Sequence, residues 1–270
     1  MGEFSSNTPE QQADFAQVLV QQRCQTPVAC CRSRVLLRTE LLAMAVNFDA
    51  AWCATDLGEH RPCRHTYERY PYGTLPVLDE KQFTGAFQWL GDPGEVDAEQ
   101  ATKFRQLGEG LAAEGLELPQ DFVTFHVSSK LRGSLDAVSV TGCWSSLSEP
   151  LPSPVEPGAF LLRFFRDQQD CVHWYLYFRP SGEVFVINSH INYEYEARDS
   201  EDWEPESDLS DLAAQTAAIL WCAPSFENFA YRFWLENRLW HAVNGGGDAS
   251  LDAEMRRYLD HYEVTAPQGA

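Results

Sequence analysis

The sequence predicts an α+β fold: a central, mostly antiparallel sheet flanked by helices, with an N-terminal helical region ahead of it. Three observations carry that prediction. Residues 158–189 read as aromatic and β-branched runs bounded by Gly, Pro, Asp and Ser, the composition a pleated, buried surface selects. The two turns between those runs are short and polar, which favours antiparallel neighbours over crossover connections. Helical stripes stand on both sides of the block, at 97–115 and 225–243.

Residues 9–24 place Phe15, Val18, Leu19 and Gln22 on one helical stripe, with Glu10 near the start where a negative charge suits the helix dipole. Thr26-Pro27 ends it, and residues 35–46, dense in Leu, Ala and Met, predict a second helix that pairs with the first. From 47 to 94 the pattern breaks into aromatics, Gly and Pro, and residues 73–79 read as a short strand ending in a turn. Residues 97–115 are helical, with Phe104, Leu107 and Leu111 on the stripe and Gly115 as the stop. Pro119 opens a short helix that carries Phe122 and Phe125. Residues 131–144 have room for one or two strands, and 145–157 form a Ser/Pro-rich loop.

The central strands are 160–165, 172–178 and 184–187, joined by Arg166-Asp167-Gln168-Gln169-Asp170 and Arg179-Pro180-Ser181-Gly182. In the second strand Val172, Trp174, Leu176 and Phe178 share one face, and His173, Tyr175 and Tyr177 share the other. The first face is core. The second presents aromatic bodies with polar tips, suited to a partly wet groove or contact surface. Residues 193–211 are almost wholly acidic, interrupted by Trp203 and Arg198. An Ala-rich helix over 212–222 stops at Pro224, and Ser225 caps a helix that runs to Asn244 and is enclosed on several sides. A last amphipathic segment, 251–262, uses Met255, Tyr258 and Leu259. The domain reading is therefore 1–100 as a helical and irregular region packed on the main domain, 101–245 as the α+β domain, and 246–270 as a C-terminal helix and tail.

Composition limits the function. A chain of 270 residues, 44% hydrophobic, can bury a sizeable core. A net charge of −20 opposes nucleic acid as a partner, because phosphate binding needs an excess of Lys and Arg, and it favours a basic protein. No apolar run is long enough for a membrane span, and residues 1–5 lack a basic or apolar leader, which points to the cytoplasm. The eight Cys are scattered without a CxxC; Cys53, Cys63 and His65 come nearest to a zinc cluster but lack a second close pair, so no metal is expected. No GxSxG, HExxH, Walker-type loop or dinucleotide fingerprint occurs, and Gly245-Gly246-Gly247 follows a helix and no strand. Neither cofactor nor catalytic residues are expected. His173 with Asp167 or Asp170 could form an acid/base pair across the hairpin; the plainer reading is a His on the wet face beside turn carboxylates.

Several phrases, in order, resemble the SUKH superfamily, whose name joins Syd, immunity proteins and the yeast Smi and Knr regulators. They are the helix ending in Gly115, Leu118-Pro119-Gln120-Asp121-Phe122 with Phe125, Asp167-Gln168-Gln169, Trp174-Tyr175-Leu176-Tyr177, Gly182-Glu183-Val184 and Ser225-Phe226-Glu227-Asn228-Phe229. The resemblance covers roughly 103–243. It implies an α+β binding domain with no catalytic residues to transfer, whose bacterial members look like immunity proteins that neutralise toxin domains. The acidic insert and the first hundred residues depart from that pattern. Two functions follow. One is a binding protein whose Asp167, His173, Tyr175, Tyr177, Glu201, Asp202, Trp203 and Glu204 meet a basic partner, for instance a cognate toxin whose active site takes an anionic substrate. The alternative is a small-molecule pocket or enzyme, with the His173/Tyr175/Tyr177 face roofed into a cleft.

Overall fold

The sheet forms where the aromatic runs place it. The computed structural model describes residues 46–196, 211–245 and 251–265. The strands are β1 (Ala51–Cys53), β2 (Arg69–Pro71), β3 (Trp144–Ser145), β4 (Leu151–Pro152), β5 (Phe160–Arg166), β6 (His173–Phe178), β7 (Val184–Ser189) and β8 (Leu220–Ala223). The main sheet runs β3-β5-β6-β7-β8, with β4 also on β5, and every strand pairing in it is antiparallel. β1 and β2 make a separate antiparallel pair that meets β8 through a parallel bridge between Ala50 and Trp221. The helices are α1 (Ala98–Ala113), α2 (Gln120–Val127), α3 (Ser134–Val138), α4 (Tyr193–Glu196), α5 (Leu212–Ala218), α6 (Phe226–Asn244) and α7 (Ala253–Thr265). The fold is α+β.

Both faces of the sheet are covered. Leu162, Phe164, Trp174, Leu176, Phe178 and Val186 pack in one cluster with Phe122, Phe125, Phe226, Phe229 and Phe233 from α2 and α6. A bulge between Arg163 and Phe165 lets Phe164 and Phe165 join that cluster together, one residue more than strict alternation allows. Trp52, Leu75 and Phe87, from the irregular 47–94 stretch, belong to it too. On the other face, Leu161, Tyr175, Tyr177, Phe185 and Ile187 lie under Val155, Ile191, Tyr193, Ala218 and Ile219.

Local signals set the helix ends. The Asp97 carboxylate accepts from Glu99 and Gln100 N–H at the start of α1, and Gly115 leaves that helix at φ +77°, where a side chain would be strained. Ser225 Oγ accepts from Asn228 N–H and starts α6, whose buried residues lie all round it, as its apolar sides foretold.

Three expectations are corrected. The run 212–222 is not one helix: α5 stops at Ala218, Ile219 is extended, and Leu220–Ala223 pairs with the free edge of β7. Ile, Leu and Trp suit that edge better than a helix. Residues 131–144 are mostly turn and the short helix α3, which buries Leu135, and strand there begins only at Trp144, the first residue of β3. The strand expected at 73–79 lies earlier, at Arg69–Pro71. Tyr72–Thr74 is a 3₁₀ turn, after which Leu75 and Leu78 are buried and Val77 is 95% exposed, a spacing of three and not two. The helices read at 9–24 and 35–46 lie outside the described residues. Among the described residues no helix is long and apolar enough to cross a membrane.

Candidate binding surface

His173, Tyr175 and Tyr177 share one face of β6, as the alternation requires, but that face is not wet: all three are fully buried. The cover comes from segments distant in sequence. Phe48 stands edge-on to Tyr177 at 5.1 Å and Tyr193 edge-on to Tyr175 at 5.6 Å. The hydroxyls point into that cover. Tyr175 donates to Ile191 C=O at 3.0 Å and accepts from Tyr193 N–H, while Tyr177 donates to the Glu156 carboxylate at 3.1 Å and meets Ser153 Oγ at 2.9 Å. Burial raises both phenols above their ordinary range. The space a cleft over this face would need is filled by these side chains.

His173 Nε2 sits 3.3 Å from Asp170 Oδ1, and Arg166 also bonds Asp170. Burial lowers the His173 pKa against the pull of Asp170, so the ring is neutral at neutral pH. Asp167 is a turn anchor. Its carboxylate accepts from Cys171 N–H at 2.6 Å, Val172 N–H at 3.1 Å and Gln169 N–H at 3.2 Å, and its own side chain is buried. Replacing Asp167 with alanine should therefore destabilise the fold by about 2 kcal/mol, since three backbone donors lose their acceptor. Urea unfolding reads this directly; a loss below about 0.5 kcal/mol would mark Asp167 as a surface residue without a structural task. Glu201, Asp202, Trp203 and Glu204 lie outside the described residues.

The acidic segment is held at both of its described ends. Arg163, buried on β5, pairs with Glu194 at 2.7 Å and donates to Asn192 at 3.0 Å; at the far end Asp211 accepts from Ala213 N–H and caps α5. Residues 197–210 between them carry six carboxylates and one arginine.

Five of the cysteines lie among the described residues. Cys53 is buried and donates to Asn188 Oδ1 at 3.4 Å, burial pushes its thiol up to about 12, and Cys63 is raised to about 11 for the same reason. Among the described residues no group of three His, Cys, Asp or Glu side chains is placed to hold an ion.

No protein family, curated protein or solved structure matches the chain. The start of α2 and the start of α6 meet in space, 106 residues apart in sequence. Glu227 N–H donates to Asp121 Oδ2 at 2.8 Å, and the Phe226 ring lies 4.9 Å from Phe122 and 5.2 Å from Phe125.

Sequence reasoning missed the polar spine of α6. Glu227 accepts from Gly85 N–H, Phe87 N–H and Trp89 Nε1–H; Asn228 donates to Glu80; Arg232 donates to Pro76 C=O; Glu236 pairs with Arg61; Asn237 accepts from Val140 N–H. Four of these side chains satisfy an irregular stretch that has few ladder bonds of its own. The signal was present: Asn228, Arg232 and Glu236 recur every four residues along a helix whose other sides are apolar.

Proposed function

We propose that this chain is a non-catalytic protein-binding domain of the SUKH kind, which neutralises or regulates a basic partner through its surface carboxylates. A toxin domain whose active site takes an anionic substrate is the partner class the resemblance implies. The observation that supports the reading is where the charge resides. Many of the described cations pair with carboxylates of the same chain, among them Arg61 with Glu236 at 2.7 Å, Arg163 with Glu194 at 2.7 Å, Arg179 with Glu183 at 3.0 Å, Arg132 with Asp97 at 3.0 Å, Lys130 with Asp92 at 2.5 Å and Arg238 with Asp252 at 3.3 Å. With 40 acidic residues against 20 basic ones, a surplus of carboxylate is left to set the outer field, and it is densest in residues 197–210. Such a field speeds encounter with a positive surface and penalises a negative one.

The test is charge reversal. The wild-type chain retrieves the partner from its native host; the purified partner is then titrated by calorimetry against the variant Glu201→Lys, Asp202→Lys, Glu204→Lys at about 50 and about 300 mM salt. Affinity should fall at least about tenfold at low salt, and the salt dependence should flatten. Equal affinity and an equal salt slope would remove the acidic segment from the mechanism.

A further inference from the structure

An open groove of about 570 Å³ runs between the 47–49 stretch and the outer face of α5. That volume lies within the roughly 300–1,000 Å³ that ligand sites span. Leu212, Ala213 and Ala217 give it an apolar lining, and Leu212, 58% exposed, is one of four exposed large hydrophobic residues among the described residues. Its charged lining is acidic. Asp49 from the 47–49 stretch and Asp211 at the start of α5 line it together with Asn47 and Thr216, and among the described residues no Lys or Arg does. Asp211 uses one oxygen to cap α5, whereas the Asp49 carboxylate has no hydrogen bond or ion pair among the described residues. Apolar and anionic lining together are the complement of one kind of side chain, an aliphatic stem that ends in a cation.

We infer that this groove receives an arginine or lysine side chain of a basic protein partner, the stem lying on Leu212, Ala213 and Ala217 and the charged head between Asp49 and Asp211. The inference rests on the binding reading above and adds a seat to it. The acidic segment ends at Asp211, so the field that attracts a basic surface delivers it to this groove. Attraction alone gives no fixed register. The groove supplies it, because contact with Leu212 is short-ranged and needs the stem in place.

The experiment uses the full chain and a fluorescein-labelled hexa-arginine peptide, read by anisotropy, with hexa-glutamate as the control. Two groove variants, Leu212→Asn and Asp49→Asn, are compared with the triple lysine variant of residues 201, 202 and 204. Leu212 and Asp49 are both exposed, and circular dichroism checks the fold of every variant. Leu212→Asn keeps every charge, yet it should weaken hexa-arginine about fivefold, and Asp49→Asn about tenfold. Unchanged binding in both groove variants, with loss in the triple lysine variant, overturns the groove and leaves the acidic segment as the whole interface. Loss in the groove variants with no change in the triple variant supports the groove and sinks the acidic-segment mechanism. No hexa-arginine binding to the wild type sinks both. Sedimentation velocity gives the remaining outcome: concentration-dependent dimers that Leu212→Asn abolishes would make a second copy the occupant and overturn the proposal.

Discussion

Replacing Glu236 with alanine is expected to cost about 3–5 kcal/mol of folding stability, the range for removing one partner of a buried ion pair. Glu236 is fully buried on α6, and Arg61 grips both of its oxygens at 2.7 Å. Trp52 Nε1–H donates to it at 2.9 Å and Tyr258 O–H at 2.5 Å. Burial works to raise this carboxyl, and Arg61 outweighs it, leaving the group below its ordinary range and charged. Without it, Arg61 and the neighbouring Arg232 would be buried cations with no carboxylate between them, because Arg232 donates to the uncharged Tyr258 hydroxyl and Pro76 C=O.

The three segments that converge here are distant in sequence: the irregular stretch at Trp52 and Arg61, α6, and α7 through Tyr258 and Tyr262, whose hydroxyl accepts from Arg61 at 2.8 Å. Urea unfolding of Glu236→Ala should thus be joined by faster amide exchange in α7. Tyr258→Phe, which removes one hydroxyl and keeps the ring, should cost only about 1–2 kcal/mol. The double variant Arg61→Met, Glu236→Leu should recover part of the single-variant loss, since it removes the Arg61 charge together with its partner while Arg232 stays charged. A Glu236→Ala loss below about 1 kcal/mol would show that water enters the site and that the network does not join these segments.

The second large effect is acid sensitivity at His126. Its ring is stacked on Phe104 at 5.0 Å and lies edge-on to Phe122 at 4.5 Å and Phe125 at 5.3 Å, with Phe226 at 5.7 Å. Burial, with Lys103 and Arg132 adding to it, lowers the imidazole from 6.5 to about 3. The folded protein thus refuses a proton that the unfolded chain accepts. Stability is full above the unfolded pKa and is lost as pH falls from about 6.5 toward about 3, at up to about 1.4 kcal/mol per pH unit. Between pH 7 and pH 4 this one ring should account for on the order of 3 kcal/mol. Urea denaturation of wild type and His126→Gln across that span separates it from the carboxylates, which titrate in both proteins. Parallel curves for the two proteins would show that His126 is protonated inside the fold at little cost.

The candidate site was legible in its residue types and not in its exposure. The alternation of His173, Tyr175 and Tyr177 places them together on one face of β6, and the structure keeps them there. Whether that face meets water depends on Phe48, Tyr193 and Ile219, which reach it from other parts of the chain. No periodicity within β6 encodes their arrival.

The helix starts at Asp97 and Ser225, the stop at Gly115, the three central strands and their antiparallel order were determined by the sequence itself, because each depends on side chains within a few residues of one another. Tertiary structure alone decided that 219–223 leaves a helix to become β8, that the aromatic face of β6 is roofed, and that Arg61, Glu236 and Tyr258 close one buried network. The physical reason is common to all three. A strand edge, an apolar face and a buried charge each need a partner to be stable, and here those partners come from segments far away along the chain.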